Sequence, residues 1–246
     1  MNIKTGFNKN HKKWFLTDVL RAIKKYSLIS AGENICVALS GGKDSVCLLY
    51  ILSYLQQYSH LDFTISAIHI KTAEYDTTVL NDFCQFLDIE YWEKRLVYPA
   101  KTRNKNSCYI CSRLKRGAIS ALIKEKGVQK VALGHHANDV AETLLMNIIQ
   151  NNQLGSMSPR VEYADNQMII IRPLIYLQED KIRKIHAQIG LPLLDYQCPF
   201  EDKNLRNIYK NLISQMNTLL DRSDIAKRVV DSLENIDFTN IWSNLK

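Results

Sequence analysis

The sequence has no apolar run approaching the 18 residues that a membrane-spanning helix requires. Its first residues, MNIKTGFNKNHKKWF, are basic but contain no apolar stretch of the kind found in secretory signals. We therefore expect a cytoplasmic protein without a membrane partner. The sequence also has no internal repeat, no low-complexity tract and no linker rich in proline, glycine and serine. These absences favour one α/β core with additions at its ends.

Acidic residues are scarce in two segments. Residues 1–30 contain seven Lys/Arg and one acid, and residues 101–130 contain nine Lys/Arg and one acid. The whole chain of 246 residues has a net charge of only +7, so positive charge is concentrated in these segments. Such separation favours a basic face that binds a polyanion. Two solvated charged helices would have the same composition.

Hydrophobic periodicity alternates between the patterns of strands and helices along most of the chain. Strands are predicted at residues 35–39, 64–70, 90–96, 130–133 and 168–172. Helices are predicted at residues 11–26, 46–55, 78–87, 112–126, 139–150 and 178–189, and beyond residue 202. This alternation predicts an α/β fold with a Rossmann-like, doubly wound parallel sheet, and ligands are expected at the carboxyl ends of its strands.

A glycine-containing loop, SGGKDS at residues 40–45, joins the first strand to the first helix of this sheet. Two glycines allow the backbone to approach an anion, and the helix N-terminus and Lys43 supply positive charge. The motif is not a Walker A loop, because Val37 and Asp44 stand where that loop has glycine and Ser/Thr. The loop therefore predicts phosphate binding of another kind.

The six cysteines are expected to be reduced in a cytoplasmic protein. Three lie within apolar strand or helix patterns and are predicted to be core residues: Cys36, Cys47 and Cys84. Cys108 and Cys111 form a CxxC motif at the start of a helix, and Cys198 is the other loop cysteine. A single CxxC is compatible with zinc, iron–sulfur or redox chemistry.

The motifs SGGKDS, CYICSRLKRG, LGHHANDVAET and SMSPR before IIIRPL occur in this order, ahead of Cys198 and a helical tail. This series, over residues 36–215, resembles the tRNA 2-thiocytidine synthetase family of PP-loop N-type ATP pyrophosphatases. The related tRNA 2-thiouridine synthetases share the loop, the CxxC and the distant third cysteine, but also carry zinc-finger CxxC pairs. The resemblance implies a basic N-terminal helical segment (1–30), a PP-loop domain (31–195) and a C-terminal helical extension (196–246).

The resemblance implies ATP, Mg²⁺ and a 4Fe–4S cluster as cofactors, with Cys108, Cys111 and Cys198 as the cluster ligands. Three ligands leave one iron open for exogenous sulfide. Zinc is the rival interpretation, with His135 or His136 as the fourth ligand. The implied nucleotide contacts are Ser40, Gly41, Gly42, Lys43, Asp44, Ser45, Gly134 and His135.

The implied reaction is adenylation of the C2 oxygen of a tRNA base, cytidine at position 32, followed by its replacement with sulfur. In this scheme Asp44 holds Mg²⁺, and Lys115 and Asp139 take part in catalysis. A tRNA-facing cation and a helix N-terminal charge are the plainer interpretations of Lys115 and Asp139. The residues predicted to grip tRNA phosphates are Arg113, Lys115, Arg116, Lys203, Arg206 and Lys210.

Two positions depart from the family pattern. Asn138-Asp139 stands where paired aspartates are usual, and the second strand ends His69-Ile70-Lys71 where an acid is expected near the nucleotide. A sulfur donor (a cysteine desulfurase or sulfide) and a homodimer are also expected. The alternatives are 2-thiouridine synthesis at tRNA position 54, a lysidine-type or amide ligase that uses nitrogen, and a non-enzymatic zinc or redox nucleotide sensor. Within thiolation, the cysteines would alternatively carry persulfide.

Overall fold

A computed structural model describes residues 9–96, 107–163, 168–196 and 205–240, with only the backbone described for residues 9–11 and 107–109. The strands are β1 (Glu33–Ala38), β2 (Phe63–Lys71), β3 (Glu90–Arg95), β4 (Lys130–Ala132), β5 (Arg160–Tyr163) and β6 (Met168–Ile171). The α-helices are α1 (Leu16–Lys25), α2 (Lys43–Tyr58), α3 (Thr78–Phe86), α4 (Ser107–Glu125), α5 (Ala137–Asn151), α6 (Glu179–Ile189), α7 (Leu205–Leu219) and α8 (Ile225–Glu234).

The six strands form one sheet in the order β3-β2-β1-β4-β6-β5. All neighbouring pairs are parallel except β5 and β6, which are antiparallel. The predicted α/β sheet is therefore confirmed, while the edge strand β5 was not predicted. The chain runs outward from β1 to β3 and returns to place β4 on the other side of β1. Such a reversal opens a crevice at the carboxyl ends of β1 and β4, where ligands bind in this class of fold.

Helices cover both faces of the sheet. On one face α2 is enclosed so completely that every residue from Ser45 to Leu55 is buried. Buried residues of α1, α6, α7 and α8 belong to the same hydrophobic cluster. On the other face α4 packs over a smaller cluster that includes Ile68, Ile123 and Val131. The predicted division at residues 30/31 and 195/196 stays a prediction.

The three cysteines predicted as core are buried thiols. Burial raises the pKa of Cys36 and of Cys84 to about 12, and it also raises that of Cys47. They are protonated at neutral pH and serve as small apolar side chains. Among the described helices none is both long and apolar enough to cross a lipid bilayer.

Candidate nucleotide and thiolation site

The SGGKDS loop lies at the carboxyl end of β1, where the chain turns into α2. The Ser40 hydroxyl donates to Ser45 Oγ (3.0 Å), and the Ser45 hydroxyl donates to the Gly42 carbonyl (2.9 Å). The N-cap of α2 is Gly42, which has no side chain to occupy the first N–H groups of the helix. The loop is therefore braced by its own hydroxyls and presents a helix N-terminus suited to phosphate.

Two glycines allow neighbouring segments to contact the loop backbone. Gly41 has φ +85°, and a Cβ on it would lie 2.4 Å from Leu194 Cβ. The Leu194 N–H donates to the Gly41 carbonyl (3.0 Å), which joins the segment after α6 to the loop. A Cβ on Gly134 would lie 2.9 Å from the backbone carbonyl group of Asp44. A side chain at Gly41 or Gly134 would therefore push these segments apart.

Lys43 and Asp44, at the start of α2, form an ion pair in which Lys43 Nζ lies 3.0 Å from Asp44 Oδ1. Lys43 Nζ also lies 3.0 Å from Glu179 Oε1. Burial tends to lower the pKa of Lys43, but the two carboxylates outweigh it and raise that pKa. Lys43 is therefore a fixed cation at the loop.

Three helix N-termini meet around this loop. His136, the N-cap of α5, places Nε2 3.6 Å from Asp44 Oδ1 on α2. Asn138 on α5 accepts a hydrogen bond from the Glu179 N–H at the start of α6 (2.9 Å). Glu179 completes the ring through its ion pair with Lys43 on α2. Asn138 thus has a structural role as a neutral acceptor, at the position where the resemblance led us to expect an aspartate.

An acid-rich group lies at the start of α5. Asp139 Oδ2 accepts from the His136 N–H (2.9 Å), which caps the helix. Arg206 of α7 lies 3.5 Å from both Asp139 and Glu142 and donates to the Thr143 hydroxyl (3.1 Å). Burial, reinforced by the charge of Asp139, raises the pKa of Glu142 to about 7 despite the nearby arginine. Asp139 and Glu142 therefore share one arginine at ion-pair distance.

His135 precedes that group and lies, partly exposed, beside Arg172. The Arg172 Nε–H donates to His135 Nδ1 (3.3 Å), and its guanidinium also donates to the Ser158 carbonyl. Burial lowers the pKa of His135 to about 4, against the opposing charge of Asp139. The imidazole is therefore neutral at physiological pH, and Arg172 anchors the SMSPR segment to it.

A cavity of about 600 Å³ opens between the carboxyl ends of the strands and α4. Its polar wall is formed by predicted site residues: Ser40, Asp44, Ser45, Lys115, Arg116, Gly134, His135, Asp139 and Arg206. Its floor is apolar and includes Ala38, Ile68, Ile70, Val131, Met168 and Ile170. An apolar lining next to phosphate-loop residues suits a nucleotide base attached to a phosphate chain.

The CxxC motif lies in the first turns of α4, which begins at Ser107, five residues earlier than predicted. Cys111 is half-buried, and Cys108 lies one turn before it on the same helix. The side chain of Cys108 and all of Cys198 lie outside the described part of the structure. Within the described residues no three His, Cys, Asp or Glu side chains are grouped as metal ligands.

The described part of the predicted cluster site is compatible with a cluster in its donor chemistry. Two cysteines one helical turn apart can face a common metal, and α4 lines the cavity directly after them through Ser112 and Lys115. A thiolate-ligated cluster on these residues would therefore border the nucleotide cavity. Arg116 on the same wall lies 5.2 Å from the centre of the Tyr163 ring. Arg113 is exposed.

The residues predicted to grip tRNA from the C-terminal helix have other contacts in this structure. Arg206 faces Asp139 and Glu142, and Lys210 donates to Glu179 (2.9 Å). Lys203 lies outside the described residues. The side chains of Arg206 and Lys210 are 34% and 44% exposed. Their contact with tRNA stays a prediction.

The segment that leads toward Cys198 is held by aromatic contacts. Tyr196 stacks on Tyr75 with ring centres 4.1 Å apart. His69, buried at the end of β2, contacts the Leu39 carbonyl through Nδ1 (2.8 Å) and the Tyr75 hydroxyl through Nε2 (3.0 Å). Where an acid was expected near the nucleotide, His69 thus supports the stacked tyrosines, and burial lowers its pKa.

Glu179, Arg183, Glu142 and Arg172 were not predicted as site residues. Glu142 belongs to the motif LGHHANDVAET, one helical turn after Asn138-Asp139, so helical spacing could have indicated it. Glu179 and Arg183 sit in an ordinary amphipathic pattern. Their proximity to the loop depends on the return of the chain to the sheet, which no local pattern encodes.

A family model described as a PP-loop domain matches residues 15–216. The chain is 32% identical over 220 residues to the tRNA-cytidine(32) 2-sulfurtransferase of Alcanivorax borkumensis, covering 86% of this chain and 77% of that protein. It is 34% identical over 215 residues to the enzyme of the same name from Teredinibacter turnerae, covering 84% and 71%.

A solved structure is also similar. The U34-tRNA thiolase NcsA from Methanococcus maripaludis, determined with its 4Fe–4S cluster, superposes with a TM-score of 0.70. The match covers 95% of this chain and 85% of that one, at 19% sequence identity. At this identity the likeness demonstrates a common fold.

Proposed function

This chain belongs to the PP-loop family, as its motifs predict, and we propose that it is an ATP-dependent tRNA sulfurtransferase that makes 2-thiocytidine at position 32. One observation carries the proposal. The phosphate loop, Asp139, Lys115 and the helix bearing the CxxC motif border one cavity of about 600 Å³. A base that enters this cavity lies between the phosphate loop and the helix that carries the CxxC motif.

In the activation step, ATP lies with its adenine on the apolar floor and its phosphates over residues 40–45. The C2 oxygen of the cytosine attacks the α-phosphate of ATP. Pyrophosphate leaves, and AMP stays bonded to the base through that oxygen. Lys43 stabilises the leaving pyrophosphate by its fixed charge. Lys115, which also lines the cavity, orients the base or stabilises the negative charge that develops on it.

Magnesium fits beside Asp44. Among the described residues, Asp44 Oδ1 is buried without a hydrogen-bond donor in good geometry, although Lys43 Nζ and His136 Nε2 lie nearby. A buried carboxylate oxygen of this kind is a suitable ligand for a hard cation that also contacts phosphate. Asp139 completes the metal site or accepts a proton from the reacting base.

Cys108, Cys111 and Cys198 would hold the cluster. Such a cluster, when bound, would supply sulfide to attack C2 of the activated base, and the C2 oxygen would leave as part of AMP. The basic residues Arg113 and Arg116 attract the tRNA backbone to this wall, so tRNA affinity is expected to fall steeply with salt.

The finer parts of the proposal concern the surroundings of the enzyme. A cysteine desulfurase or free sulfide supplies the sulfur, the protein acts in the cytoplasm, and two copies form a homodimer. Sedimentation analysis of the purified protein tests the last of these statements, and a monomer at working concentration would contradict it.

Anaerobic reconstitution tests the reaction. The full chain with iron, sulfide, Mg²⁺, ATP and unmodified tRNA should release AMP and pyrophosphate and produce 2-thiocytidine, as measured by mass spectrometry of tRNA nucleosides. Asp139→Asn keeps the acceptor that caps α5 but should lose about 10²-fold in rate, the size of a typical acid–base or charge contribution. Lys181→Gln, remote from the cavity, serves as the control.

The alternatives predict other outcomes. A uridine thiolase would produce 2-thiouridine, and a nitrogen-using ligase would form AMP without any thionucleoside and would contain no iron. A sensor would release neither AMP nor pyrophosphate when tRNA is added. Iron and sulfide content per chain separates cluster chemistry from persulfide and zinc chemistry.

A further inference from the structure

Three cations converge on a single carboxylate oxygen beside the phosphate loop. Glu179 Oε1 lies 3.0 Å from Lys43 Nζ, 2.9 Å from Lys210 Nζ and 3.1 Å from Arg183 Nη2. These cations come from α2, α7 and α6, and Lys43 is also paired with Asp44. Asp180, in the first turn of α6, also acts on Arg183, so three carboxylates face the three cations. The distinctive feature is that all three cations contact one buried carboxylate oxygen.

The surrounding backbone adds partial positive charge to this group. The N-termini of α2, α5 and α6 are joined in a ring by His136–Asp44, Asn138–Glu179 and Glu179–Lys43 contacts. Each helix N-terminus contributes a partial positive charge of roughly +0.5. Groups of this kind bind anions of high charge density, such as linked phosphates.

We propose that Arg183 and Lys210 bind the pyrophosphate portion of ATP together with Lys43, and that Glu179 holds the three cations in place when no nucleotide is bound. The proposal deepens the proposed function, on which it rests. Arg183 offers a planar guanidinium that can donate two parallel hydrogen bonds to phosphate oxygens. Lys210 brings α7 into the site of the leaving group.

Glu179 differs in solvent exposure from the two cations proposed to bind the anion. The Glu179 side chain is only 7% exposed, whereas Arg183 and Lys210 are 56% and 44% exposed. The two cations can turn from the carboxylate toward an incoming anion without exposing a buried group. Glu179 stays in place, since its backbone N–H is bonded to Asn138.

Lys210 was predicted above to contact tRNA phosphate, and the two assignments give different results. If Lys210 binds pyrophosphate, its removal lowers the affinity for pyrophosphate and ATP. The affinity for AMP, which lacks the β- and γ-phosphates, stays the same. If Lys210 binds only tRNA, its removal lowers the affinity for tRNA and leaves the affinity for pyrophosphate unchanged.

Isothermal titration calorimetry of the full chain with inorganic pyrophosphate, ATP and AMP, each with Mg²⁺ and without tRNA, tests the proposal. Arg183→Gln and Lys210→Gln should each weaken pyrophosphate and ATP about tenfold, the change expected when one charge-assisted hydrogen bond is lost. AMP affinity should not change. Lys210→Arg should restore most of the pyrophosphate affinity.

Lys181→Gln is the matched control, because Lys181 lies on α6 with 47% exposure but pairs with Asp18 of α1, away from the loop. It should bind pyrophosphate as the native protein does. Native pyrophosphate affinity in both Arg183→Gln and Lys210→Gln would overturn the proposal, as would an equal loss in Lys181→Gln. Thermal melts verify that each variant is folded.

This test is independent of the overall reaction. A protein that loses pyrophosphate affinity in both variants but makes no thionucleoside would refute the proposed function and leave the pyrophosphate assignment intact. A protein that makes the thionucleoside but binds pyrophosphate equally well in both variants would support the proposed function and refute the pyrophosphate assignment.

Discussion

Two buried glutamates on neighbouring helices of the site differ in ionisation. At the start of α6, burial opposes ionisation of Glu179, but hydrogen bonds from Lys210 and Lys43 outweigh it and hold its pKa at about 2. On α5, burial and the charge of Asp139 raise the pKa of Glu142 to about 7, and Arg206 offsets them only in part. The cation-rich corner suits anion binding, and the acid-rich corner suits a metal ion or proton transfer.

The difference teaches that the site separates its two electrostatic tasks in space. Phosphate is proposed to bind where three cations share one buried carboxylate oxygen. Proton or metal chemistry is proposed where two carboxyl groups share one arginine, beside His135, whose pKa is lowered to about 4 mainly by burial. Four substitutions break or sharpen this contrast.

Lys43→Met removes the cation shared by both carboxylates and has the largest expected effect. ATP-dependent AMP formation should fall by about 10²–10³-fold, as when a preorganised charge is removed from a transition state. The rate is measured by separating labelled AMP from ATP in the presence of tRNA. A loss of less than tenfold, with Lys181→Met as the control, would show that Lys43 does not serve the leaving group.

Glu179→Gln breaks the cationic corner by leaving three cations without their shared carboxylate. The pKa of Glu179 lies below its ordinary value of 4.5, so its contribution to stability is complete above pH 4.5 and is lost as the pH falls toward 2. At pH 7 the variant should be less stable by about 1–3 kcal/mol. Urea unfolding between pH 3 and 7 should show that the free energies of unfolding of the two proteins converge at low pH. A difference in free energy that does not change with pH would contradict this account.

Glu142→Gln should act in the opposite direction. Because the pKa of Glu142 is raised from 4.5 to about 7, ionisation costs the folded state stability between these values, and the cost is complete above pH 7. The glutamine resembles the protonated acid and avoids that cost. On going from pH 4.5 to 8, the free energy of unfolding of the variant should rise by about 1–2 kcal/mol relative to that of the native protein. Parallel stability curves would refute the raised pKa.

Asn138→Asp gives the smallest effect and sharpens the contrast. Aspartate still accepts the Glu179 N–H, but it adds a negative charge between the two corners. Stability should change by less than about 1 kcal/mol, the range of a partly solvated charge pair. The pKa of Glu179, followed by carbon NMR of its carboxyl group, should rise. An unchanged titration would mean that residue 138 is not electrically coupled to Glu179.

Sequence reasoning located the parts of the site that are contiguous in the chain. The loop at residues 40–45 and the motif LGHHANDVAET were recognisable because their spacing encodes a local turn and a helix start. The antiparallel strand β5 was missed because Arg160–Tyr163 is short and polar. Arg183 and Lys210 were not assigned to the phosphate loop because they are linked to it through Glu179, which the packing of α6 against α2 places beside Lys43. Long-range placement of this kind has no local signature.

The backbone hydrogen bond between Leu194 and Gly41 has a consequence for how this protein can change over evolution. Residues 191–196 are fastened at Leu194 to the phosphate loop and at Tyr196 to Tyr75, and Cys198 follows two residues later in the sequence. An insertion or deletion here would shift the spacing between a loop that handles ATP and a cysteine proposed to handle sulfur. Most surface loops tolerate length changes well. This one is expected to vary in residue type but to keep its length.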